Sequence, residues 1–169
     1  MTARPAAPSE TDALARLWYD GWQDAHATIL PPALARARTR QSFAERMAAA
    51  LADVRVIGPQ GAPLGFAMLK GDELCQFYVA SEARGAGIAG ALMADAEAQL
   101  SARGVETVWL ACAIGNEKSG WYLAQNGGQP PRHGRWSLRS RSLALREASG
   151  APVKGAAILA CSMIMDFRT

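Results

Sequence analysis

The sequence predicts an α/β chain of the α+β type, in which a central mixed, mostly antiparallel sheet is flanked by helices. Three observations predict it. Apolar residues recur at helical spacing near the N-terminus. Three strand-like runs follow one another between residues 54 and 80. A glycine-rich loop then joins the last of these runs to a long helix.

The first helix is predicted over about 10–25, where Leu14, Leu17, Trp18 and Trp22 share one face behind a capping box of Ser9 and Asp12. That apolar stripe reads as core packing. Pro31-Pro32 breaks the chain, and a second helix follows with Ser42 and Glu45 as its capping box ahead of Phe43, Met47 and Leu51. The runs VRVIG, PLGFAMLK and ELCQFYVA are separated by Pro-Gln-Gly-Ala and Gly-Asp, and so read as an antiparallel meander. A helix then runs to Ala102 with Gly104 as its stop signal. ETVWLACA reads as a buried strand and NEKSGWYLAQN as a short helix ending at Gly127-Gly128. GRWSLRSRSLAL and GAAILACSMIMDF read as two final strands joined by REASGAPVK. Neither repeats nor linkers interrupt the chain, so residues 1–169 are expected to form one domain, a size that can bury a substantial core.

Bulk chemistry excludes several classes of function. A net charge of +3 lacks the dense basic stripe of a nucleic-acid binder. The N-terminus MTARPAAPSETD has no apolar core of a signal peptide, and no run approaches a membrane-spanning length, so a cytoplasmic protein without membrane contact is expected. Cys75, Cys112 and Cys161 are odd in number, lie in apolar runs and lack metal-ligand spacing. They are expected to be free thiols, with no metal site.

The loop RGAGIAG, residues 84–90, carries two overlapping patterns. Gly85, Gly87 and Gly90 have the G-x-G-x-x-G spacing of a dinucleotide loop. That pattern requires its first glycine close behind the strand and an acidic residue at the end of the following strand. Ser81, Glu82, Ala83 and Arg84 intervene before Gly85, and Glu106 stands at the start of the next strand, so the context fails. The other pattern is R-x-x-G-x-A at Arg84, Gly87 and Ala89. A strand feeding a loop whose amides open a helix makes an anion nest, and small residues at Gly85, Ala86, Gly87, Ala89 and Gly90 let a pyrophosphate approach the backbone. By itself such a loop reads as an ordinary helix cap.

The segment ELCQFYVASEARGAGIAGALMADAEAQL, with R-x-x-G-x-A, resembles the GNAT superfamily of N-acetyltransferases. So does VETVWLACAIGNEKSGWYLAQNGG, with Asn116, Ser119 and Gly127 at the superfamily's N-x-x-A and closing-glycine spacing. The opening ARPAAPSETDALARL resembles its first strand and helix, and together the likeness spans roughly residues 3–25 and 52–128. The resemblance implies a sheet whose fourth and fifth strands splay apart, with acetyl-CoA as co-substrate in the gap. It implies backbone contacts from Val79 to the pantetheine arm and from Phe77 N–H to the thioester oxygen. It further implies that the amides of Arg84, Gly85, Ala86, Gly87, Ile88, Ala89 and Gly90 hold the pyrophosphate, with Asn116 and Ser119 on the cofactor arm. The reaction implied is direct attack by a primary amine of a small molecule or protein, and homodimerisation is left open.

Glu73, six residues before Val79, lies where one branch of the superfamily carries its general base. In an unbulged strand it shares a face with Cys75, Phe77 and Val79; the resemblance implies that a bulge, common in this strand of the superfamily, would change that facing. An exposed turn carboxylate beside Asp72 is an equal reading. The tyrosine that usually protonates the leaving thiolate is expected at position 123 by counting from Asn116 or back from Gly127, but the residue there is Leu123. Tyr122 is turned about 100° around the helix and does not substitute for it. This departure keeps a second reading open, an acyl-CoA-binding sensor or interaction module with little turnover. Asp24 and His26 fall where the superfamily's acceptor pocket often forms. Arg132, Arg135, Arg139, Arg141 and Arg146 make a basic region that reads as a solvated face, or as a contact for an acidic acceptor or the 3′-phosphate of CoA.

Overall fold

The computed structural model describes residues 1–105, 107–111, 135–139 and 161–162. After β1 (Arg4–Pro5), a turn of 3₁₀ helix at Pro8–Glu10 leads into α1 (Thr11–His26). The expected cap at Ser9 and Asp12 is not the one formed. Glu10 accepts a 3.0 Å hydrogen bond from Ala7 N–H and donates its own N–H to Ala7 O, while its carboxylate receives Arg4 at 2.7 and 2.8 Å. The acid with a cation in reach takes the capping role.

Pro32 opens a six-residue helix, α2 (Pro32–Ala37), where the sequence reading had only a break. A proline's fixed φ and missing N–H suit the first helical position, so Pro32 starts a helix, while α1 has already ended at His26. In α3 (Arg40–Ala50) the cap is Thr39, whose side chain accepts from Ser42 N–H at 3.2 Å, three residues earlier than the expected Ser42 cap.

Next come β2 (Val54–Ile57), β3 (Gly65–Lys70) and β4 (Glu73–Val79), a meander paired antiparallel throughout, as the alternating pattern requires. Lys70 and Glu73 are registered partners across Gly71-Asp72, and Gly71 takes φ +61 to make the tight turn. The sheet order is β1–β2–β3–β4–β5–β6, with β5 (Thr107–Ala111) parallel to β4 and β6 (Arg135–Arg139) antiparallel to β5. A last short strand, β7 (Cys161–Ser162), pairs with β4. The expected helix over NEKSGWYLAQN lies outside the described residues.

Side-chain alternation divides the core between the two faces of the sheet. Against α1 and α3 lie Val54, Val56, Phe66 and Tyr78, packed by Leu14, Trp18, Trp22, Phe43 and Met47. Trp18 meets Phe43 edge-on at 5.1 Å between centroids, a favoured aromatic geometry. Against α4 (Ile88–Ala102) lie Ile57, Ala67, Leu69, Leu74, Phe77 and Val79, packed by Ile88, Leu92, Ala96 and Leu100. The half-buried Arg55–Asp95 pair, a two-pronged contact at 2.8 and 2.9 Å, fastens β2 to α4. No helix among the described residues is long and apolar enough to cross a membrane.

Candidate active site

The glycine loop is held at both ends and open between. Ala83, Ile88 and Ala89 are buried, whereas Arg84, Gly85, Ala86 and Gly87 are exposed in succession. Gly85 at φ +81 and Gly87 at φ +78 occupy the left-handed region, where a Cβ is strained. Gly87 caps α4, and the first helical bond runs from Ala91 N–H to Gly87 O at 3.1 Å. The N–H groups of Ile88, Ala89 and Gly90 therefore precede the helical ladder and have no acceptor within it. A Cβ built on Gly85, Gly87 or Gly90 would meet nothing within 4 Å. Amides without an acceptor in the helical ladder, open space at the three glycines and a helix N-terminus are what a pyrophosphate requires, so these residues fit the group that the R-x-x-G-x-A pattern implies.

β4 supplies the next layer, and of the two facings open to it the structure has the bulged one. Met68 pairs with Gln76 and Leu69 with Leu74, leaving Cys75 as an extra residue in a β-bulge. The bulge reverses the facing beyond it. Glu73 and Cys75 lie on the α1 side, with Glu73 Oε2 3.9 Å from Cys75 Sγ, while Phe77 and Val79 pack toward α4. Glu73 therefore shares a face with Cys75 but not with Phe77 and Val79. It is also buried, at 7% exposure, so the turn-carboxylate reading does not describe its surroundings. Burial first, and then the Glu73 carboxylate, push the Cys75 thiol up to about 11, which keeps it protonated and unreactive near neutrality.

The bulge also turns Gln76 and Tyr78 toward α1, two polar residues that sequence reasoning passed over. Both are buried, and Gln76 Oε1 has no hydrogen-bond partner among the described residues. A glutamine inside an apolar strand is the signal that was available in the sequence.

β4 and β5 share a single registered pair, Glu73 with Trp109, at the start of β4. Further along, the same strand pairs with β7, Gln76 opposite Ser162 and Phe77 opposite Cys161. The register position at Phe77, expected to meet the thioester, thus carries a strand of the same chain, and Val79 lies beyond it.

A cleft of about 460 Å³ opens between α1 and the segment that leads into the loop. Leu17, Asp20, Gly21 and Asp24 line one wall, and Pro63, Val79, Ala80, Glu82 and Arg84 the other. Asp24 accepts a 2.7 Å charged hydrogen bond from Arg84 across it. His26, two residues on, is fully buried and stacks on Trp22. Burial holds it down at about 4, against the opposing pull of a hydrogen bond to the Trp22 backbone, so the ring is neutral near pH 7. Asn116, Ser119, Tyr122, Leu123, Arg132, Arg141 and Arg146 lie outside the described residues, and Arg135 and Arg139 belong to β6.

The fold matches solved acetyltransferases. PaiA N-acetyltransferase from Thermoplasma acidophilum, a structure in complex with coenzyme A, superposes with a TM-score of 0.66 at 15% identity over 80% of this chain and 94% of that one. A GCN5-related N-acetyltransferase from Rhodopseudomonas palustris gives 0.65 at 20% identity, over 82% and 94% of the two chains. Ribosomal-protein-alanine N-acetyltransferase from Brucella melitensis gives 0.59 at 19%, over 82% and 99%. At these identities the likeness is one of fold. No curated protein matches the chain at a significant level. The profile of the acetyltransferase (GNAT) family matches residues 11–127, from the first residue of α1 to the glycine that closes the second motif block, and on that match the chain belongs to the GNAT family of acetyltransferases.

Proposed function

We propose that the protein transfers the acetyl group of acetyl-CoA to a primary amine of a small molecule or protein. The observation that carries the reading is the loop between β4 and α4. Two left-handed glycines and three amides ahead of the helical ladder make a backbone cradle at the R-x-x-G-x-A motif. The coenzyme A complex of the Thermoplasma acidophilum neighbour, a protein of the same fold, supports the choice of cofactor.

In this reading the amine nitrogen attacks the thioester carbonyl carbon. The C–N bond forms, the C–S bond breaks, and sulfur departs as the thiolate. Phe77 N–H stabilises the oxyanion as a fixed backbone donor. The attacking amine gives its proton to Glu73. Four residues of strand, about 13 Å at full extension, separate Glu73 from Phe77, so that transfer passes through water. With leucine at 123, the thiolate takes its proton from solvent, which its ordinary pKa of about 8.5 permits. Pairing of the pantetheine arm at Phe77 requires β7 to leave that register. Leu123 favours a second reading, an acyl-CoA sensor that binds and does not turn over.

Calorimetry with acetyl-CoA and with NAD(H), followed by thiol release across an amine panel, tests the proposal. Acetyl-CoA binding with amine-dependent thiol release is the expected outcome. Binding without release selects the sensor, and NAD(H) binding without an acetyl-CoA response overturns both. Gly87→Glu, which places a carboxylate in the cradle, should abolish acetyl-CoA binding.

A further inference from the structure

We propose that Asp24 is a positioning residue of the cofactor site, holding the mouth of the phosphate loop through Arg84. The inference rests on the acetyl-CoA reading above.

The loop needs such a hold. Arg84 to Gly87 are exposed in succession, and the backbone bonds entering this stretch are long: Arg84 N–H to Ser81 O and Ala86 N–H to Ala83 O, both 3.4 Å. Gly85 and Gly87 add the conformational freedom that lets them adopt positive φ. Amides can bind a pyrophosphate tightly only when they already converge, because ordering them on binding subtracts from affinity. The anchor on the other side of the cleft is packed into the core. α1 is fixed in the core by Trp18 and Trp22, at 2% and 3% exposure, and Asp24 stands two residues beyond Trp22. Its 2.7 Å bond to the Arg84 guanidinium crosses the cleft to the residue immediately before Gly85. The pair therefore ties the least constrained part of the loop to a helix packed into the core.

The sign of the effect distinguishes positioning from plain electrostatics. Asp24 is a negative charge beside an anion site, so Coulomb's law alone predicts that removing it tightens acetyl-CoA binding. A tether predicts that removing it weakens binding. Arg84 and Asp24 are 34% and 48% exposed, so the tether acts on the scale of a solvent-screened pair.

The experiment is calorimetric titration of acetyl-CoA into the wild type, Asp24→Ala, Asp24→Asn, Arg84→Ala and the Asp24→Ala/Arg84→Ala double variant. Steady-state kinetics accompany each titration. Asp24→Ala should weaken binding about two- to fivefold and raise the acetyl-CoA KM to match, with kcat unchanged. Asp24→Asn, which keeps an oxygen for Arg84, should lose less. In the Arg84→Ala background the Asp24 substitution should cost nothing further. Unchanged or tighter binding in Asp24→Ala overturns the proposal, as does an equal loss when Arg84 is already absent. A wild-type protein that binds no acetyl-CoA overturns the cofactor reading, and this inference with it.

Discussion

Cys75 has no registered partner on β3, and that one extra residue turns Glu73 and Gln76 toward α1 while Phe77 and Val79 face α4. Strict alternation is the only facing the residues themselves display; the resemblance implied that a bulge in this strand would change it, but not at which residue. The Asp24–Arg84 contact, which joins residues sixty positions apart, was not legible. The glycine positions were legible, because Gly85 and Gly87 meet a backbone demand that few other residues satisfy. In the proposed reaction the facing of Glu73 leaves it a role as the base, because backbone N–H groups of a strand lie in the plane of the sheet rather than on one face. Glu73→Gln is therefore expected to lower kcat by about 10²–10⁴-fold while leaving acetyl-CoA affinity within a factor of two. Single-turnover rates across pH, read beside calorimetry, check this. An unaltered pH–rate profile would remove Glu73 from the proton path.

Among the elements, the meander from β2 to β4 was plain in the sequence because turn residues bracket each alternating run and fix the pairing. Helix starts were less plain. Serine, threonine and acidic residues cluster near every boundary, and tertiary partners decide which of them caps. Arg4 recruits Glu10 to the first helix, and Thr39 reaches Ser42 N–H in the third. α2 escaped because two prolines were read as a stop alone. The contact between α1 and β4 is just as invisible from sequence, yet it leaves no room for a side chain at Gly21. A Cβ on Gly21 would stand 2.4 Å from Tyr78 Cδ1 and 3.0 Å from Cε1, against a ring that is itself fully buried. Alanine's better helix propensity opposes the clash by about 1 kcal/mol. The ring cannot swing away without disturbing Phe66, stacked on it at 5.7 Å, so overpacking wins. Gly21→Ala is expected to destabilise the fold by about 1–2 kcal/mol, measured by urea unfolding with an unchanged m-value. A rise in the midpoint would mean that Tyr78 yields freely.

On the scale of the whole molecule, two buried groups with depressed folded-state values tie stability to pH on the acid side. The Arg4 guanidinium holds Glu10 down at about 2 from an ordinary 4.5, and burial holds His26 down at about 4 from 6.5. Both folded-state values are depressed, so in each case the unfolded chain binds the proton more readily and stability falls with pH. The His26 contribution is present above about 6.5 and lost toward 4; that of Glu10 is present above about 4.5 and lost toward 2. Thermal unfolding from pH 7 to 3 should show two successive declines, and a His26→Gln variant should lack the first. The sheet itself raises the larger question, since the early strands follow the family's pattern and the C-terminal strand was placed by sequence only as one of a final pair. β7 seats Cys161 opposite Phe77, the register at which the acyl-pantetheine arm is proposed to pair. The side of β4 turned away from β3 presents one row of backbone groups, and two occupants cannot share one register position on it. Cofactor binding then works against the β4–β7 pairing, a contest of two residue pairs worth about 1 kcal/mol, or roughly fivefold in affinity. A chain ending at Ala160 should bind acetyl-CoA about fivefold more tightly than the full chain while unfolding at a lower temperature, because the covered edge of β4 is exposed. Calorimetry and thermal unfolding on the same pair of proteins separate the two effects. Weaker acetyl-CoA binding by the shortened chain would show that β7 supports the cofactor's seat rather than competing for it.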